Sequence, residues 1–154
     1  MNISILCGSD DHPILPQLRH WTEWQCQNQH DVNLFFNVDD LTGGDILFLI
    51  SVGEKIEKDV RSLYRYCLVL HASDLPDGAG WSPHIWYIIN GINEITVTMF
   101  EADEEIDSGR VWGKKSFQLD GTELLPEINE RLFETEIFLM TEGLFGSSGL
   151  TPTP

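Results

Sequence analysis

Apolar positions along this chain fall into short runs separated by turn-forming residues, and the spacing inside each run predicts an element. Ile3-Ser4-Ile5-Leu6-Cys7 reads as a buried first strand, ended by the turn formers Gly8-Ser9-Asp10-Asp11. From Leu15 to Gln27, Leu15, Leu18, Trp21 (or Thr22) and Gln25 recur three or four apart, the period of one helix face. Val32 to Val38 reads as a second strand, closed by Asp39-Asp40 and Gly43-Gly44. Asp45 to Ser51 (DILFLIS) is apolar through its centre, as a parallel strand covered on both faces must be. Lys58 to Tyr66 is expected to form a short helix, and Cys67 to Leu70 a fourth strand.

The second half changes character. Leu75 to Pro83 (LPDGAGWSP) is expected to be a loop, because glycine and proline break both regular periods. His84 to Asn90 (HIWYIIN) predicts a short helix opened by Pro83 and closed by Gly91. Ile95 to Glu101 partly alternates apolar and polar residues, a strand pattern. Arg110 to Leu119 predicts another strand, with Lys114 and Lys115 suited to guarding a sheet edge. Asp120 with Glu123 resembles a capping box for a helix running to about Thr141, with Leu125, Ile128, Leu132 and Leu139 on one face. Strands alternating with helices imply right-handed crossovers and an α/β fold with a mainly parallel sheet.

Composition narrows the class. With 154 residues, 42% of them hydrophobic, the chain is long enough for one domain with a full core. We take residues 1–145 as that domain and 146–154 (GSSGLTPTP) as a linker-like tail, as in a chain cut from something longer. Met1 to Cys7 lacks the basic start of a signal peptide, and no apolar run approaches the roughly 20 residues that cross a bilayer. Three cysteines, Cys7, Cys26 and Cys67, form no CxxC pair, which fits a reducing cytoplasm better than a disulfide framework. A net charge of −16, from 25 acidic against 9 basic residues, argues against nucleic acid as a partner. Solubility alone also accounts for such a charge.

Two positions carry candidate chemistry. His71 directly follows the apolar strand Val69-Leu70 and precedes the loop, and ligands of open α/β sheets sit beyond the strands' carboxyl ends. An imidazole there can accept or donate a proton near neutral pH. It can equally be a histidine that pins the neighbouring loop. Asp107 closes Asp103-Glu104-Glu105-Ile106-Asp107, four carboxylates in five positions that repel one another unless solvent or donors relieve them. The same residues, followed by Ser108-Gly109, also make an ordinary solvated turn.

Between these two positions the order of features is more specific than either alone. It runs His71, Ser73-Asp74-Leu75-Pro76, Gly78-Ala79-Gly80-Trp81-Ser82-Pro83, Ile88-Ile89-Asn90-Gly91, Ile95-Thr96-Val97-Thr98 and Asp107-Ser108-Gly109, with His and Asp 36 positions apart. This resembles the folate-dependent formyltransferase family, which includes methionyl-tRNA, glycinamide ribonucleotide and sugar-nucleotide formyltransferases. The resemblance is close over about forty residues in the middle of the chain and looser before them.

It implies a Rossmann-like three-layer sandwich and 10-formyltetrahydrofolate as formyl donor to an amine. His71 would stabilise the developing oxyanion or relay a proton, and Asp107 would orient it or a water and help deprotonate the amine. The backbone of Ala102, Asp103, Glu104 and Glu105 would read the pteridine edge, and no metal is needed. One departure stands out. Where the family has an asparagine two positions before the histidine, this chain has Val69, and loss of one oxyanion donor typically costs about a hundred- to a thousand-fold in rate. The expected acceptor is a small amine, by elimination an amino-sugar nucleotide. The alternatives are a catalytically impaired ligand-binding or interaction domain, and a methionyl-tRNA formyltransferase-like protein lacking its C-terminal domain.

Overall fold

Strand β1 (Asn2–Cys7) lies inside the sheet, between β2 (Asp31–Phe35) and β3 (Gly44–Ile50), and pairs parallel with both. The computed structural model describes residues 1–74, 85, 88, 89, 91 and 93–147. Strand β4 (Tyr64–His71) adds parallel to β3, whereas β5 (Glu94–Glu101) and β6 (Val111–Gln118) return antiparallel. The six strands run in the order β2-β1-β3-β4-β5-β6, a mixed but mainly parallel sheet of the expected α/β kind.

Alternation along the strands sorts side chains onto two faces. Ile3, Ile5, Ile46, Phe48, Leu68 and Leu70 enter one core, under helices α1 (Leu15–Gln27) and α3 (Leu125–Ser147). Trp21 of α1 meets Phe48 edge-on, at 5.9 Å between ring centroids, and its Nε1 donates to Thr141 Oγ1 of α3 at 3.0 Å. On the opposite face Leu6, Leu47, Leu49 and Cys67 are covered by Leu41, Ile56 and partly buried Val38, Val52 and Val60. This third layer is thin: a 3-10 turn at Val38–Asp40, the one-turn helix α2 (Lys58–Arg61) and loops.

Several boundaries differ from the periodicity. The helix expected over Lys58 to Tyr66 stops at Arg61, and β4 begins at Tyr64. Tyr64 pairs with Gly44, and its hydroxyl donates to Ser4 Oγ at 3.0 Å while accepting from Gly43 N at 3.1 Å. Tyr66 meets Trp112 edge-on at 4.9 Å, so cross-strand partners override a helical spacing. Strand β2 ends at Phe35 rather than Val38, because Asn37 Oδ1 accepts from Asp39 N at 3.0 Å and starts the 3-10 turn. Glu123 accepts from the backbone N of Asp120 (2.6 Å) and Gly121 (3.0 Å), but it caps the turn ahead of α3, which starts only at Leu125.

Helix α3 continues past Thr141 and the boundary expected at 145. Gly143 lets it approach the sheet, since a β-carbon there would stand 3.1 Å from Met99 Cε. Lys114 and Lys115 lie on β6, the sheet edge they were expected to guard. The loop expected at 75–83, most of the helix expected at 84–90 and the tail beyond 147 lie outside the described residues.

Phe48 is fully buried where α1 crosses the central strand. Phe48→Ala is expected to cost about 3–5 kcal/mol, read as a lower urea midpoint with an unchanged slope.

Candidate functional site

On β4 the side chains of Cys67, Val69 and His71 share the face under the thin layer, and His71 ends the strand. Its ring is held on both edges. Nδ1 lies 2.7 Å from Ser73 Oγ, and the Ser73 backbone is itself fixed, donating from N to His71 O (2.9 Å) and accepting from Thr98 Oγ1 (2.6 Å). Phe100 meets the imidazole edge-on at 6.4 Å. On the other edge Nε2 stands 3.6 Å from Asp107 Oδ2, with the two side chains only 13% and 10% exposed. The two candidates, 36 positions apart in sequence, are thus brought together side by side.

Asp107 arrives on the excursion between β5 and β6. Its backbone is left-handed (φ 58°), a conformation that aspartate tolerates better than most residues. Ala102 N donates to Cys67 O at 2.9 Å, laying the start of the loop along β4. Arg61 pairs with Glu104 at 2.6 Å and also donates to Ile56 O at 2.8 Å, which ties the loop to α2. Of the four loop residues expected to read the pteridine, Ala102, Asp103 and Glu105 line the cleft beside His71. Glu104 is turned to Arg61 and Lys55 and is not part of the lining.

That cleft has a volume of about 490 Å³ and is walled by Leu49, Val52, Val69, Phe100 and Ile106 around the His71–Asp107 pair. Ile106, an apolar side chain in this lining, is 72% exposed. A flat aromatic ring system fits such walls, and backbone groups of 102–105 stand at their edge. Val69 lines the cleft on the same strand face as His71, where it offers no hydrogen-bond donor.

The sequence reading missed the far end of the cleft, formed by His12 and Pro13 ahead of α1 and by Asn129, Phe133 and Glu136 of α3. Glu136 is 7% exposed, and burial alone pushes its carboxyl up to about 8. A signal was present: Glu136 falls four residues after Leu132 and three before Leu139, on the apolar stripe of its helix. His12 Nδ1 accepts from Ile14 N at 3.1 Å, and burial lowers its pKa.

The sheet is that of an α/β domain, with His71 and Asp107 meeting in a cleft at the end of β4. A family model described as "Formyl transferase" matches residues 19–144, and this chain belongs to that family. A methionyl-tRNA formyltransferase of Lachnospira eligens is 30% identical over 111 residues, covering 71% of this chain. The chain spans only 35% of that protein's length. Among solved structures, HypX from Aquifex aeolicus in complex with tetrahydrofolic acid aligns with 99% of this chain and 28% of its own, at 23% identity and a TM-score of 0.77. The formyltransferase PseJ from Anoxybacillus kamchatkensis, in complex with a UDP-formamido sugar and tetrahydrofolate, aligns with 99% of this chain and 82% of its own. Its identity is 21% and its TM-score 0.71. Among the described residues no helix is long and apolar enough to cross a membrane.

The buried carboxyl of Glu136 predicts a pH dependence. Its folded-state pKa is raised from 4.5 to about 8. Its contribution to stability is therefore fully present below the unfolded value and lost as pH rises through the folded one. Between about pH 5 and pH 8 the melting temperature of Glu136→Gln should fall less than that of the wild type, leaving the variant the more stable at the upper end. Parallel melting curves across that range would show that the carboxyl ionises without penalty.

Proposed function

We propose that this domain transfers a formyl group from 10-formyltetrahydrofolate to an amine of a small acceptor, with His71 and Asp107 as its catalytic pair. The observation that carries the reading is the 3.6 Å approach of Nε2 and Oδ2 inside a cleft, in a chain of the formyl transferase family. When bound, the folate supplies a formyl carbon: a bond from the amine nitrogen to that carbon forms, its bond to N10 breaks, and one proton passes from the amine to N10. Ala102, Asp103 and Glu105 line the cleft where backbone groups would hold the pteridine edge, while Val69, Phe100 and Ile106 would enclose its flat faces.

His71 suits the negative charge that develops on the formyl oxygen, because Ser73 and Phe100 hold its ring and little reorganisation is needed. Asp107 stands on the Nε2 side of the ring, placed to orient it and to draw the proton from the attacking amine directly or through one water. An amino-sugar nucleotide supplies such an amine, but the carboxylates lining the cleft oppose its diphosphate. A second reading, a domain that binds the cofactor without turning it over, is favoured by one observation, the donor-free side chain of Val69 in the cleft. Calorimetric titration with tetrahydrofolate, followed by formyl transfer to a panel of amines, separates the two: binding without transfer supports the second.

His71→Ala and Asp107→Asn should each lower turnover by at least about a hundred-fold with the fold intact. Equal losses of melting temperature and activity would make both residues structural.

Val69→Asn should restore a donor beside His71 and raise the transfer rate. Melting temperature should fall modestly, since Val69 is partly buried and a fully buried carboxamide without a partner costs about 1–3 kcal/mol. An unchanged rate in a folded, tetrahydrofolate-binding variant would mean that another group fills the role or that transfer has been lost.

A further inference from the structure

The far end of the cleft holds a group that the formyl-transfer pair does not use. Glu136 is more than nine-tenths buried and lines the cleft, burial raises the pKa of its carboxyl, and no donor reaches that carboxyl among the described residues. A carboxyl kept in an apolar helix stripe without a donor destabilises the fold, and so calls for a ligand that donates.

We propose that Glu136, with Phe133 and His12, forms part of the acceptor subsite and takes a second ammonium group, not the amine that is formylated, of a small polyamine that carries no phosphate. The proposal rests on the formyl-transfer reading and names its substrate class. Charge around the cleft supports it. Glu54, Asp103, Glu105, Asp107 and Glu136 line the cleft, against Lys55 as the one lysine or arginine in the described lining. Lys55 is already 3.8 Å from Glu104, and residues 75–92 contribute no lysine or arginine. A diphosphate entering here would meet carboxylates, whereas an ammonium would meet complementary charge.

The aromatic wall fits the same class. Phe133 packs against the His12 ring at 5.7 Å between centroids, and cations are attracted to such faces. His12 adds no competing positive charge, because burial favours its neutral form. A hydroxyl donor would also satisfy a carboxyl, and a glutamine would serve a hydroxyl equally well. Ammonium recognition therefore requires the charge, and hydroxyl recognition does not.

The test is calorimetry on the full chain with putrescine as probe and UDP-glucosamine as the phosphate-bearing comparison, using wild type, Glu136→Gln and Glu136→Met. Putrescine should bind the wild type more tightly than UDP-glucosamine does. Both variants, shown folded by circular dichroism, should bind putrescine at least about tenfold more weakly, because hydrogen bonds to charged groups are the stronger ones. No putrescine binding, equal affinity in either folded variant, or tighter binding of UDP-glucosamine overturns the proposal. Tetrahydrofolate is titrated in parallel and should bind all three proteins alike. If it binds none while putrescine binding depends on Glu136, the formyl-transfer reading fails and the subsite stands. If it binds and putrescine does not, the subsite fails alone.

Discussion

The backbone N of Glu101 donates to the carbonyl of Arg110 at 2.9 Å, and that bond pinches the excursion between β5 and β6 at its neck. Gly109 completes the pinch. A β-carbon at this position would overlap the carbonyl oxygen of Glu101, so only glycine lets the two backbones approach. The pairing of β5 with β6 shifts register between Met99 and Phe100, just before the neck. The residues from 102 to 108 must therefore fold back over β4. Ala102 N anchors them to Cys67 O, Arg61 holds Glu104, and a left-handed Asp107 swings its carboxylate to His71. The approach of Asp107 to His71 depends on this closed neck.

Much of this architecture was legible in the sequence because it is local. The apolar run from Asp45 to Ser51 marked a central strand, and His71 followed an apolar strand into a loop, where α/β crevices form. Asp107 was legible only through the order of motifs that links it to His71; its carboxylate-rich surroundings read equally well as a solvated turn. The helical spacing from Lys58 to Tyr66 misled because Tyr64 and Tyr66 answer to Gly44, Ser4 and Trp112, partners no local window contains. The side chain of Glu104 likewise answers to Arg61, 43 positions away. Glu136 went unread because a lone acid on a helix face ordinarily points to solvent, and only the close approach of α3 buries it.

Two residues put stability and chemistry in opposition. Glu136 is an ionisable group where the helix stripe calls for leucine, and its burial weakens the fold as pH rises. Val69 is the reverse case: an apolar side chain suits its strand and layer, while the neighbouring histidine would gain from a donor there. The first departure from a simple core adds a polar function to the cleft, and the second removes one. The cleft of this domain therefore has a buried carboxyl in its wall at Glu136 and a donor-free side chain at Val69 beside His71.

The neck at Glu101, Gly109 and Arg110 holds Asp107 against His71 and so shapes the cleft in which tetrahydrofolate is proposed to bind. Amide chemical-shift mapping of tetrahydrofolate on the isotope-labelled chain and on Gly109→Ala tests it most directly. The account predicts shifts concentrated at the end of β4 and across 102–107 in the wild type, and their loss in a variant whose core signals are unchanged. Shifts that persist in folded Gly109→Ala, or that fall away from His71 and Asp107 in the wild type, would contradict it.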